Sequence, residues 1–211
     1  RAIYKTLKKY IKESKSIRFE GDNYSDEWVE EAESRGLSNN NNTPDALNAY
    51  MEDKSIELFT SSGVFTEREL RAHFEVMQEN YILKRDIESR TLEEICLNYV
   101  IPAAIRYQNE LLQNIDGFKE AGFKKKQLAY QMDVIERIQN GISNMHELGK
   151  QMTTERHSAH ELDGAYAVAA HFAKAIVPLM SQIREEADEL ELLVADDFWI
   201  LPKYREMMFL R

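Results

Sequence analysis

One cysteine, four prolines and eight glycines in 211 residues leave this chain short of what stapled or turn-rich folds require. Cys96 has no second cysteine to pair with, so no internal disulfide exists and a buried reduced thiol is expected. A nucleophilic Cys96 would need a histidine partner and a polarising setting, and its neighbours Ile95 and Leu97 supply neither. So few glycines and prolines disfavour a β architecture with many turns and favour helices. Positive charge is also scarce: the net charge is −10, whereas a nucleic-acid footprint needs a basic face. Lys124, Lys125 and Lys126 are the local exception and read as a solvated helix start. No apolar run approaches the ~20 residues that span a bilayer. The opening residues RAIYKTLKKY lack the apolar core of a signal peptide. A cytoplasmic protein with no membrane and no nucleic-acid partner is expected. The chain opens inside a helical pattern without a methionine, as a segment cut from a longer protein would.

What is present is 43% apolar and 30% charged residues, the balance of a globular chain able to bury a core in one or two domains. Ile3, Leu7 and Ile11 fall four apart, flanked by Tyr4 and Tyr10, which predicts an amphipathic helix over 2–14. Gly21-Asp22-Asn23 breaks it. Ser25 caps a short acidic helix carrying Trp28 and Ala32, and Gly36 ends that helix. After the loop 38–42, Thr43 reads as an N-cap with Pro44 at the first helical position. A short helix through Ala46, Leu47, Tyr50 and Met51 follows. Ile56, Leu58 and Phe59 then lead into a turn at Gly63. Thr66 and Glu69 have the spacing of a capping box, and Phe65 and Leu70 that of a hydrophobic staple, at the head of a helix over 67–83.

Beyond Arg85 turn signals become rare. Thr91 with Glu94 reads as a second capping box, opening a helix with the stripe Leu92, Ile95, Cys96, Tyr99 and Ala103. Pro102 should kink or restart it, and Asn114 to Gly117 should end it. Leu128, Met132, Ile135, Ile138, Ile142, Met145, Leu148 and Met152 then form one helical face, slightly weakened by Gly141 and Gly149. Residues 154–164 are polar and read as a break or hairpin. Ile176, Met180, Ile183, Ala187, Leu190 and Val194 repeat every three or four residues, a heptad seam interrupted by Pro178. The expected fold is all-α: a small helical subdomain over 1–85, then an antiparallel bundle of three to four long helices over 86–211, with Glu185, Glu186, Asp188, Glu189 and Glu191 facing water.

Chemistry-bearing residues are sparse. His157, His160 and Glu161 share a helical face, with His171 eleven residues beyond His160. A transition-metal site needs three or four converging ligands and supporting hydrogen bonds, and no cysteine or Glu-x-x-His pair joins them. Neighbouring acids Glu30-Glu31, Glu93-Glu94 and Asp196-Asp197 project about 100° apart on a helix and serve solubility rather than acid–base chemistry. His73 is read as an exposed i, i+4 partner of Glu69, and His146 as partly buried. Small residues between Ala165 and Ala175 allow another helix to approach closely, inside the bundle or from a second subunit. Met132, Met145, Met152 and Met180 read as core fillers. No residue is assigned a catalytic, cofactor-binding or metal-binding role.

The wording of several segments carries a resemblance. Ser61 to Tyr81 (SSGVFTERELRAHFEVMQENY), with the upstream stretch from Pro44 to Tyr50, resembles the closing helices of the glutamine synthetase catalytic domain. Ile17 to Leu37 (IRFEGDNYSDEWVEEAESRGL) looks like the type III members in particular, and Val194 to Tyr204 is similar to their C-terminal end. The likeness covers nearly the whole chain, patchily from Gly117 to Leu162. It implies an intact enzyme that condenses glutamate with ammonia, using ATP and a divalent metal (Mg or Mn), through a γ-glutamyl phosphate. It also implies a ring-shaped homo-oligomer with active sites between subunits. No Gly-rich ATP loop, glutamate-rich metal motif or phosphate-holding arginine loop of that family has a match here. The resemblance therefore implies a C-terminal region that is inactive alone and packs against the rest of its own catalytic domain and neighbouring subunits. The alternatives are an independent helical interaction module that binds a partner helix in a groove, and a metal-dependent bundle enzyme built on His157, His160 and Glu161.

Overall fold

A computed structural model describes residues 2–209. Arg1, Leu210, Arg211 and the side chains of Ser16 and Lys125 lie outside this description, and with them the reading of Arg1 as the start of a helical pattern and of Lys125 as solvated. The chain divides into two compact units, residues 1–41 and 42–211. The described residues form helices and connecting turns, with no strand among them.

In the first unit, α1 (Ala2–Glu13) is followed by a 3₁₀ turn (Lys15–Ile17) and α2 (Asp26–Ser34). Ser25 caps α2 as expected, its hydroxyl accepting from the Trp28 amide at 3.3 Å. Gly36 ends it with φ +76°, where the Leu37 amide reaches back to the Ala32 carbonyl at 3.0 Å. Phe19 packs on Trp28 with ring centroids 4.8 Å apart. Arg18 ties this layer to α1 by donating to the Ile11 carbonyl at 2.8 Å.

The second unit opens with α3 (Thr43–Leu47), a 3₁₀ turn (Asn48–Met51) and α4 (Asp53–Ser61). The cap of α3 is Asn42 and not Thr43: the Asn42 amide oxygen accepts from the Asp45 amide at 2.9 Å, one residue earlier than expected. Pro44 still falls in the first turn, where its missing N–H costs nothing. The capping box at Thr66 and Glu69 opens α5 (Glu67–Ile95) as expected.

α5 then runs on well beyond residue 83, passing through residue 85 and the pair Thr91 and Glu94 without interruption. The second capping box therefore does not form. Glu94 is helix interior, and no glycine or proline precedes Thr91 to stop the turn before it. α5 passes through a π-turn at Cys96–Val100 into α6 (Ile101–Glu120). Across a short 3₁₀ turn lies α7 (Ala129–His160). Next come α8 (Ala165–His171), a second π-turn at Phe172–Ile176, and α9 (Val177–Leu193). A four-residue helix, α10 (Tyr204–Met207), closes the description.

The two prolines are accommodated in the same way. The residue before each donates to a carbonyl five residues back, Ile101 to Cys96 and Val177 to Phe172. Widening the turn there absorbs the missing N–H and the clash of the proline ring with the turn below. Gly117 lies within α6; the helix ends instead at Gly122, φ +87°. There the Phe123 amide caps the Phe118 carbonyl at 3.0 Å, and the two rings meet edge-on at 4.7 Å. Residues 154–160 are helical, and only 161–164 form the turn before α8.

Among the described residues, three long helical runs therefore make the bundle: α5–α6 up, α7 down and α8–α9 up. Pairings at both ends fix this direction. Gln108 reaches the Ile135 carbonyl near one end (3.3 Å), and Thr153 reaches Glu93 further along (2.9 Å). The seam Ile176, Ile183, Leu190 and Val194 is buried against Ile138, Met145 and Met152, with Phe172 and Ala104 in the same core. Met132 departs from its expected face and is 42% exposed. Gly141 is a point of close approach, not a weak spot. A Cβ there would lie 3.1 Å from Leu190 Cδ2, so its absence lets α7 and α9 pack tightly.

Candidate functional site

The bundle interior holds one polar junction that the sequence did not reveal. Glu93 on α5 accepts from Arg156 at 2.5 Å and from Thr153 at 2.9 Å, both on α7. Arg156 also donates to Thr153 at 3.1 Å, and its side chain is only 10% exposed. A charge that far from water needs its partner, so this triad fixes the register of α5 on α7. Sixty-three residues separate Glu93 from Arg156. The one local hint was the spacing of Thr153 and Arg156, which places both on one face.

Next to this junction lies a cavity of about 70 Å³, lined by Glu93, Cys96, Met145, His146, Gly149 and Lys150 among others. Cys96 is buried, as expected, and burial pushes its thiol up to about 11, with the Glu93 carboxylate adding to the effect. That is the environment of an inert thiol. His146 is exposed at the cavity's edge and not partly buried.

A second junction holds α3 against α5 and α8. Asp45 accepts from Asn42 at 2.9 Å and from the Tyr166 hydroxyl at 2.8 Å, with Lys174 at 3.3 Å. The Asn42 and Tyr166 hydrogen bonds, followed by Lys174, hold its carboxyl below the ordinary value. Buried Gln78 donates to the Pro44 carbonyl at 3.1 Å. The tail is anchored too. Lys203 donates to the carbonyls of Glu191 and Val194 at the end of α9, at 2.8 and 3.0 Å, and Asp196 pairs with Lys203 and Arg205. Trp199 is buried and Phe198 packs on Tyr107.

The residues weighed for chemistry are scattered. His157, His160 and Glu161 are exposed at the end of α7, and His171 lies 2.9 Å from Glu155 instead of joining them. Among the described residues, no three His, Cys, Asp or Glu side chains gather as a metal site. His73 rests on the Phe65 ring, centroids 5.1 Å apart. Its neighbour Glu69 is held below the ordinary carboxylate value chiefly by the Thr66 backbone and hydroxyl. Glu31 pairs with Arg35 at 2.7 Å. Of the small residues between Ala165 and Ala175, Ala169 is fully buried on α8, a helix that packs on α5, and the other alanines are half-buried. No described helix is long and apolar enough to cross a membrane.

α1 carries an exposed apolar stripe. Ile3, Leu7 and Ile11 are 77%, 55% and 54% exposed, with Tyr4 and Tyr10 beside them. Such a stripe on a helix is normally covered. What the geometry offers is therefore buried registration inside the bundle and, in the first unit, an apolar helix stripe that this unit does not itself cover.

Comparison with known proteins agrees. A family model described as the glutamine synthetase C-terminal domain matches residues 2–119. A glutamine synthetase of Bacteroides fragilis is 37% identical over 212 residues, covering 99% of this chain and 29% of its own length. One from Butyrivibrio fibrisolvens is 29% identical, covering 98% of this chain and 29% of its own length. A type-3 glutamine synthetase of Dictyostelium discoideum is 27% identical, covering all of this chain and 29% of its own length. The chain thus spans less than a third of the length of these relatives, and by the family match over most of its first 120 residues it belongs to the glutamine synthetase C-terminal domain family.

Proposed function

We propose that this chain is the non-catalytic C-terminal part of a cytoplasmic type III glutamine synthetase. The intact enzyme joins ammonia to glutamate, using ATP and Mg or Mn, and works as a homo-oligomer. The chain itself serves packing and assembly: α1 docks on the preceding catalytic part, and the bundle braces contacts with neighbouring subunits. One observation carries this reading. The stripe of Ile3, Leu7 and Ile11 stands open to solvent on a helix otherwise rich in lysine. An isolated interaction module would hold such a face against its own core, whereas part of a larger domain leaves it for the remainder to cover.

The test is the full-length gene product, assayed for ATP-dependent glutamine formation beside its mass by light scattering. Glutamine formation by an oligomer supports the proposal. A product that forms no glutamine with either metal overturns it and leaves the independent helical module as the account.

A further inference from the structure

The surface of the bundle carries a groove of about 670 Å³ between α5 and α9. Its floor is apolar, formed by Leu92, Ile95, Val177 and Met180, and Arg184 stands at one end. The tail approaches the groove from that end. The Tyr204 amide donates to Glu191 Oε1 at 3.1 Å, and the Tyr204 hydroxyl donates to Asp188 Oδ1 at 3.2 Å. The Arg184 guanidinium lies over the Tyr204 ring, 4.9 Å from its centroid. Glu191, Asp188, Arg184, Ser181 and Val177 follow one another at spacings of three, four, three and four, which puts them on one stripe of α9. The tail is thus laid on one half of a stripe whose other half walls the groove. Beyond Tyr204 come three consecutive apolar side chains, Met207, Met208 and Phe209, which are 61%, 82% and 76% exposed.

We propose that the tail is a strap that closes on this groove, with Met207, Met208 and Phe209 seating on the apolar floor of the same chain. The reach is sufficient. Glu191, which holds the Tyr204 amide, lies about 16 Å from Met180 along α9 at the helical rise per residue. The five residues from Arg205 to Phe209 span about 17 Å when extended. α10 is a single turn of four residues, too short to persist by itself, so it unwinds at little cost. Two observations select the tail over another occupant. First, its anchors at Glu191, Asp188 and Arg184 run along the groove's own stripe of α9, so the chain is already aimed at the site. Second, it is tethered at the groove's end, and a segment held there is present at an effective concentration on the order of millimolar. Closed, the strap takes both the groove and its own apolar side chains out of water. Open, as in this structure, it leaves the groove free for another surface, so the chain itself gates access.

The test introduces Thr91→Cys, an exposed position lining the groove, into the full-length gene product. The native Cys96 is buried, and the parent protein supplies the background rate. Reaction of the new thiol with a monofunctional maleimide should be slow. M207S, M208S and F209S together should speed it about tenfold, as for a strap closed nine-tenths of the time. These three side chains are exposed here, so the substitutions leave the fold intact. In a second variant, T91C with M208C, oxidation by diamide should join the two thiols within one chain. On a non-reducing gel that product stays at the mass of a single chain, and both thiols are lost to Ellman's reagent after denaturation. A Thr91→Cys thiol that reacts equally fast with and without the serine substitutions overturns the proposal, because the tail then covers nothing. A disulfide that forms only between chains, as a band of twice the chain mass, or not at all, overturns it too.

Discussion

Two glycines eight residues apart on α7 should respond oppositely to the same substitution. At Gly149 an added Cβ meets no atom within 4 Å. Replacing it with alanine gains helix propensity, about 0.8–1 kcal/mol, without cost. At Gly141 the added Cβ would lie 3.1 and 3.2 Å from Leu190 Cδ2 and Cγ, and Leu190 is only 1% exposed. Leu190 sits in the seam with Ile183 and Val194, so it can retreat only by disturbing the core. Overpacking of this kind costs roughly 1–3 kcal/mol, which cancels or exceeds the propensity gain. The G149A chain should therefore be more stable than parent by about 0.5–1 kcal/mol and G141A less stable by as much as about 2 kcal/mol, a separation of roughly 1–3 kcal/mol. Urea unfolding followed by far-UV circular dichroism, with unchanged m-values, measures both. If G141A proves as stable as G149A, the close approach of α7 to α9 is not what holds that glycine, and the reasoning fails.

The Cys96 thiol, pushed up to about 11 by burial, should not react with Ellman's reagent at pH 8 in the folded chain and should react fully after unfolding. Its ordinary value is 9.0, so the unfolded chain loses this proton first. The associated stability is whole below pH 9 and declines as pH rises towards 11, and C96A should flatten that decline. At the polar junction, E93L or R156M alone leaves the other partner's charge buried and unpaired and should cost about 1.5–3 kcal/mol. The double variant E93L/R156M should cost less than the sum of its parts, since no charge is then stranded; strict additivity in a double-mutant cycle would refute the coupling.

Much of the bundle was legible because its signals are local and periodic. The seam from Ile176 to Val194 reads off every third or fourth residue, and the capping box of Thr66 and Glu69 is complete within four residues. The errors came where a local signal was real but tertiary context overrode it. Thr91 and Glu94 have capping-box spacing, yet continuing α5 buries Ser89 and Cys96 against the bundle, and the helix does not stop. Gly117 is a plausible terminus, but the positive φ falls at Gly122, where Phe118 and Phe123 can close the cap. Pro102 should kink or restart its helix and Pro178 should interrupt its seam; widened turns let both runs continue. Arg156 sat in a stretch read as a polar break, because a partner sixty-three residues away leaves no mark in a local window. The uncovered stripe of α1 was visible as amphipathic periodicity, but its exposure needed the fold.

The most direct test of the packing account is the accessibility of that stripe. Leu7→Cys, at a position 55% exposed here, should react rapidly with a maleimide in the 211-residue chain. In the full-length gene product the same thiol should be strongly protected, as a docked helix face would be. Equal reactivity in the two proteins would contradict the claim that this chain packs its open apolar face against the rest of a larger enzyme.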